Sequence, residues 1–163
     1  MAMNAPHWHL AINHLPIVGL FLVLLLLIYA LVRGRGELYG VSLGALVFLA
    51  LATVPVFFTG RRADDAMMDI ADVDEKLVHL HEAAANIAFI GIGLLGVIAL
   101  TVLWLGRKLP HISRGMAALM LVLTLVETLL MGRTANLGGN IRHPEIRGGQ
   151  EKTDTSPKSA EPK

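Results

Sequence analysis

The sequence predicts an all-α integral membrane protein, an antiparallel four-helix bundle, and three observations carry that prediction. Four apolar runs, three of them free of charge and the fourth carrying Glu127 and Arg133, are each near the roughly 20 residues that a transmembrane helix needs. Composition agrees: 54% of residues are hydrophobic and 17% charged, against about 25% charged in an ordinary soluble domain, and the mean hydropathy is +0.59. Short turns rich in Gly and Arg join the first run to the second and the third to the fourth. Such turns force neighbouring spans to run up and down alternately.

Span one is expected over about 10–32. No Lys or Arg precedes it and no small-residue cleavage site follows, so it reads as a retained helix and not a signal peptide. Pro16 suits a first helical turn, where its missing N–H costs nothing; in a helix starting nearer Pro6 it would free the carbonyl of Ile12. Arg33-Gly34-Arg35-Gly36-Glu37 makes the turn to span two, about 38–58, with Pro55 as a kink and Thr59-Gly60 as the exit.

Residues 61–82 form the one long polar connection. Met67, Ile70, Leu77 and His81 recur at helical spacing, and the acids fall mostly elsewhere. An interfacial amphipathic helix between spans two and three, or one leading directly into span three, is expected. The glycine-bearing calcium-loop spacing is absent, so the acids read as a solvated face.

Span three, about 83–104, is rich in Ala and Gly, which let a helix or a flat cofactor approach the backbone. Span four covers about 115–137, with Gly138 and Gly139 as C-caps. Residues 1–147 thus make one four-helix domain, and the polar stretch 148–163 is expected to be disordered. Trp8 and Trp104 fall at opposite ends and fit the aromatic belts. Positive charge concentrates in the two short turns, which puts both termini on the extracytoplasmic side.

Topology gathers chemistry that no single motif shows. His7, His9, His14, His79, His81 and His143 all belong to one end of the bundle, and only His111 to the other. His81 continues an apolar stripe with Ala84, Ala85, Ala88 and Ile92 and should face the bundle. His79, Glu82 and Asn86 form a separate polar face. His9 and His14 are poorly spaced for joint chelation, so at most one shares a site with His81. A b-type haem between imidazoles of different helices, for example His14 and His81, is one reading, with Arg142 or Arg61 meeting its carboxylates. A copper or zinc ion on three or four histidines is a second, and interfacial histidines bonded to water and headgroups a third.

Glu127 lies near the middle of span four. A charged group there costs on the order of 2.5–3.5 kcal/mol on insertion scales, so it should face the interior. It reads either as a proton relay or quinone contact, or as a neutral carboxyl bonded to Thr53, Asn86 or a carbonyl freed by Pro55. The absence of cysteine excludes disulfides, thiolate metal sites and covalently attached haem. A net charge of +1 gives no basis for nucleic-acid binding. No nucleophile is paired with a histidine and an acid, so a hydrolase is unsupported.

The segment His9-x4-His14-Leu15-Pro16-Ile17, with Thr59-Gly60, His81 and the close Gly138-Gly139-Asn140-Ile141-Arg142-His143, resembles the bacterial four-span membrane proteins of the DUF2231 type. The similarity covers most of residues 7–147. It departs where Leu10 replaces a family proline and where the spacing before His143 is shortened. The resemblance implies a multi-pass protein of the bacterial inner membrane in a redox context, near cytochrome c modules, with histidines as haem ligands. The expectation is therefore an electron-transfer subunit between quinol and an extracytoplasmic cytochrome c. A cofactor-free structural or assembly subunit of a larger membrane complex is the competing one.

Overall fold

The computed structural model describes residues 5–68, 74–106 and 113–142, and all of its regular structure is helical. α1 covers Ala5–Ile12, α2 His14–Arg33, α3 Gly36–Met68, α4 Glu75–Gly106 and α5 Arg114–Arg142. Four helices are long and apolar enough to cross a membrane: Pro6–Arg33, Gly36–Asp65, Glu75–Gly106 and Arg114–Ile141. By length and composition the chain is a small multi-pass membrane protein. α2 packs on α3 and α5, and α4 packs on the same two, so the four spans close a ring; α1 lies against α3.

Pro16 sits in the first turn of α2, and the helix breaks at Asn13, next to the Ile12 carbonyl that proline cannot serve. Asn13 itself keeps helical angles (φ −62, ψ −24), and its N–H still donates to the His9 carbonyl at 2.9 Å. α1 and α2 are therefore one interrupted path. α2 ends at Gly34, whose φ of +62 is open to glycine at little cost, and whose N–H caps the Ala30 carbonyl. Two residues later α3 starts in the opposite direction.

The polar connection takes a different form from a separate interfacial helix. Residues 61–68 continue α3, residues 75–82 lead directly into α4, and 69–73 lie outside the described residues. The reason is length. At 1.5 Å per residue the 33 residues of α3 span about 50 Å, against a hydrocarbon core of about 30 Å. Charged turns can thus extend a membrane helix into the headgroups without bending it flat. α5 likewise runs through Gly138 and Gly139 to Arg142, so these glycines are not caps. The tail after 142 and His111 lie outside the described residues.

The core follows helical spacing on every span. In α2 it uses Leu20, Val23, Leu27 and Ala30; in α4, Ala88, Ile92, Leu95, Ala99 and Val102; in α5, Ala117, Met120 and Met131. Positions three and four apart share one helix face, which is why each span buries one stripe and leaves large side chains such as Phe48, Leu51, Val97 and Leu129 exposed. In a bilayer those exposed chains meet lipid.

Candidate functional site

Two histidines are held in the same way at the end where α1, α3, α4 and α5 meet. His9 Nδ1 lies 3.1 Å from the Val56 carbonyl oxygen. His81 Nδ1 lies 3.0 Å from the Thr134 carbonyl oxygen. A carbonyl has no proton to give, so Nδ1–H is the donor in both, and a neutral ring then carries its lone pair on Nε2.

Each bond depends on a glycine one turn further along the accepting helix. A Cβ on Gly60 would stand 2.9 Å from His9 Cε1, and one on Gly138 3.1 Å from His81 Cε1. Only glycine lets the imidazole lie against the helix at that point. The absence of a side chain at Gly138 is thus used in packing, not in stopping a helix.

The two arrangements belong to a larger repetition. His7, His9 and Gly19 are separated from His79, His81 and Gly91 by one constant interval. A second constant interval relates Leu49, Val56 and Gly60 to Glu127, Thr134 and Gly138. The contacts repeat with the residues: Gly19 is filled by the Leu49 side chain, and Gly91 by that of Glu127. The six buried positions of α2 (Pro16, Leu20, Val23, Leu24, Leu27, Ala30) map onto six of the eight buried in α4 (Ala88, Ile92, Leu95, Gly96, Ala99, Val102), the other two being Val78 and Ala84. The chain is therefore two copies of one helical hairpin, α1–α2–α3 and α4–α5, whose first helices run in the same direction. Such parallel repeats are related by an axis along the membrane normal.

A cavity of about 350 Å³ opens between the copies, and both His9 and His81 line it. That size falls within the roughly 300–1,000 Å³ of small-molecule and cofactor sites. Its walls are mainly apolar, including Ile17, Val56, Ala85, Ala88 and Met131, with Asn13, Asp64 and Arg61 as polar members. Phe57 and Phe89 stack beside it, ring centroids 4.1 Å apart and planes 10° apart. Arg61 reaches Glu82 across the α3–α4 seam at 3.6 Å, and His79 faces the same carboxylate at 4.0 Å on the exposed side.

The expected site residues distribute as follows. His81 faces inward with Ala84 and Ala88, as its stripe implied. The histidine that joins it in a matching setting is His9; His14, exposed at the start of α2, also lines the cavity. The His9 pairing had one sequence signal, the repeated His-x-His ahead of a glycine, visible only when the two halves are aligned. Asn86 is half-buried on α4 away from the cavity wall. His143 and the side chain of Arg142 lie outside the described residues.

Among the described residues no three or more His, Cys, Asp or Glu side chains come together to hold a metal ion, so the cluster needed for a three- or four-histidine copper or zinc site is not assembled there. Thr53 does not serve Glu127 as a donor, since its hydroxyl donates to the Leu49 carbonyl at 2.7 Å. Set against protein-family models, curated proteins and solved structures, the chain gives no family match and no significant similarity.

Proposed function

We propose that this membrane protein binds a b-type haem in the cavity between His9 and His81 and serves as an electron-transfer subunit. The observation that carries the reading is the duplicated imidazole setting. Two rings from different helices each spend Nδ1–H on a backbone carbonyl, and both rings line the cavity. A hydrogen bond of this kind fixes tautomer and ring orientation and raises the basicity of the opposite nitrogen, as metal-ligating histidines require. A repeat-related pair suits a group that takes one identical ligand on each face.

Haem, when bound, supplies a one-electron carrier. The chain's own residues do the rest. His9 and His81 would hold the iron, the small residues Ala85 and Ala88 would leave room, and Arg61 would offer positive charge at the wall for carboxylates. Electrons would come from quinol in the bilayer and leave to an extracytoplasmic cytochrome c, with both termini on that side. The resemblance to DUF2231-type proteins of the bacterial inner membrane supports the same context.

The test is the reduced-minus-oxidised spectrum of the full chain purified in mild detergent. A sharp b-type band is expected, lost in His9→Ala and in His81→Ala and kept in His14→Ala. A colourless protein copurifying with fixed partners would favour the structural subunit instead. A band that survives His9→Ala but not His14→Ala would move the ligand one turn along the chain.

A further inference from the structure

The two hairpins differ most inside the membrane at one repeated slot. In the first, Leu49 of α3 fills the notch at Gly19 of α2; in the second, Glu127 of α5 fills the notch at Gly91 of α4. Glu127 is 3% exposed, and its Oε1 has no hydrogen-bond partner. The nearby hydroxyls are committed elsewhere. Thr124 donates to the Met120 carbonyl and Thr128 to that of Thr124, each at 2.7 Å.

No charged group faces Glu127 from any helix around it. α5 has none between Arg114 and Arg133, and α4 none between Glu82 and Gly106. Between His14 and Arg33, α2 has only Tyr29, which is exposed. Between Glu37 and Arg61, α3 has only Tyr39, which lies in the first turns of that helix, at the end of the bundle away from the cavity.

The bundle does not need this carboxyl to pack, because leucine fills the same notch in the sister hairpin. A carboxyl kept where hydrocarbon suffices is an expense in the membrane interior, and such residues mark proton and ion paths. Its place gives it something to serve. Met131, one turn along α5, and Ala88, just under one turn from Gly91, are both cavity walls.

We infer that Glu127 is a proton-binding site acquired by the second hairpin, one turn beneath the cavity and exchanging its proton through it. The inference stands without haem, and its test is chosen to be independent of haem.

The full-length protein in detergent is treated with dicyclohexylcarbodiimide, which attacks protonated carboxyls in apolar surroundings, and its peptides are mapped by mass spectrometry. The carboxyl oxygen adds to the carbodiimide carbon, the acid proton passes to a carbodiimide nitrogen, and an oxygen-to-nitrogen acyl shift leaves a stable N-acylurea with nothing expelled. Modification at Glu127 is expected, slowing several-fold as the pH rises from acid to alkaline, and absent in E127Q. E127L is expected to melt at or above the wild-type temperature. No modification at any pH, a rate indifferent to pH, or an E127L protein that melts clearly lower would each overturn the inference. A colourless but labelled protein would sink the haem reading alone; a haem-bearing but unlabelled one would sink the proton site alone.

Discussion

The two hairpins share a backbone plan and divide the chemistry unequally. At three slots the first holds hydrocarbon: Leu49 against Gly19, Leu46 in the core, and Phe57 stacked on Phe89 at the seam with α4, while its buried Ser42 and Thr53 stand where the second has Met120 and Met131. The second puts Glu127 where the first has Leu49, Thr124 where it has Leu46, and Ala135 where it has Phe57. Repetition explains the matched histidines, since one device has been used twice. Divergence runs both ways along α3 and α5, but the Ser42, Thr53 and Thr124 hydroxyls each donate to a carbonyl one turn back, and of these four buried side chains Glu127 alone keeps an unpaired oxygen. The lesson is that shared features report what the fold and the cavity both need, while unshared buried polar groups report added chemistry.

The largest expected effect breaks this comparison at its central slot. Leu49→Ala removes buried side chain against a glycine that cannot fill the gap, and should cost about 2–5 kcal/mol. Glu127→Ala removes a side chain with an unpaired oxygen, so its loss of packing is offset by relief of that burial. Unfolding in mixed detergent should show Leu49→Ala as the clearly less stable variant. Equal losses would mean that the carboxyl packs as well as leucine and that the contrast is empty.

The seams between hairpins offer the next test. A Cβ on Gly96 would collide with Cβ of Ala50, an atom that cannot move without its helix. Gly96→Ala should therefore push α3 and α4 apart at a cost of about 1–3 kcal/mol. Gly19→Ala meets only the flexible end of Leu49 and should cost less. Melting temperatures of the pair, read in one detergent, decide the order.

Much of the bundle was legible in the sequence because lipid imposes few solutions. Long apolar runs and arginine turns suffice to give four antiparallel spans, and topology then collects His9, His14 and His81 at one end. The choice between His9 and His14 was not legible. It turns on a carbonyl at Val56 and a bare backbone at Gly60, both on another helix and neither distinctive in sequence. The repeat was hidden for a related reason: Leu, Ile, Val and Ala exchange freely at lipid-facing and core positions. His7-x-His9 with Gly19 is kept as His79-x-His81 with Gly91, and Gly60 as Gly138, while most of the other identities, such as Leu22 with Leu94, are common apolar residues that signal nothing. The sequence left two forms open at 61–82 because amphipathic spacing is the same whether a helix lies in the interface or projects through it, and 75–82 take the second, leading directly into α4.

The imidazole settings themselves can be compared by small steps. Gly60→Ala and Gly138→Ala each place a methyl against a histidine ring, at 2.9 Å and 3.1 Å from Cε1. Each ring must rotate away from its carbonyl, an off-rotamer cost of about 0.5–1.5 kcal/mol. Gly60→Ala should have the larger effect on stability and on the spectrum of any haem bound, because its methyl is the closer. A reversed order would show that α1, which carries His9, yields more readily than α4.

The smallest effect concerns a pair present at one seam only. Arg61 and Glu82 stand 3.6 Å apart where α3 meets α4, with side chains 54% and 35% exposed. At the repeat-related seam the corresponding residues are Gly139 and Leu10, which carry no charge. The positions that hold this ion pair at one seam thus hold uncharged residues at the other, so the pair at these positions is an addition to the packing and not its basis. Glu82→Leu, which copies the sister residue, should lower stability by at most about 1 kcal/mol, as exposed pairs do. The difference from wild type should shrink in high salt, where exposed charges are screened. Loss of the whole bundle in this variant would mean that the two seams are not equivalent, and that the hairpins need Arg61 held before they can pair.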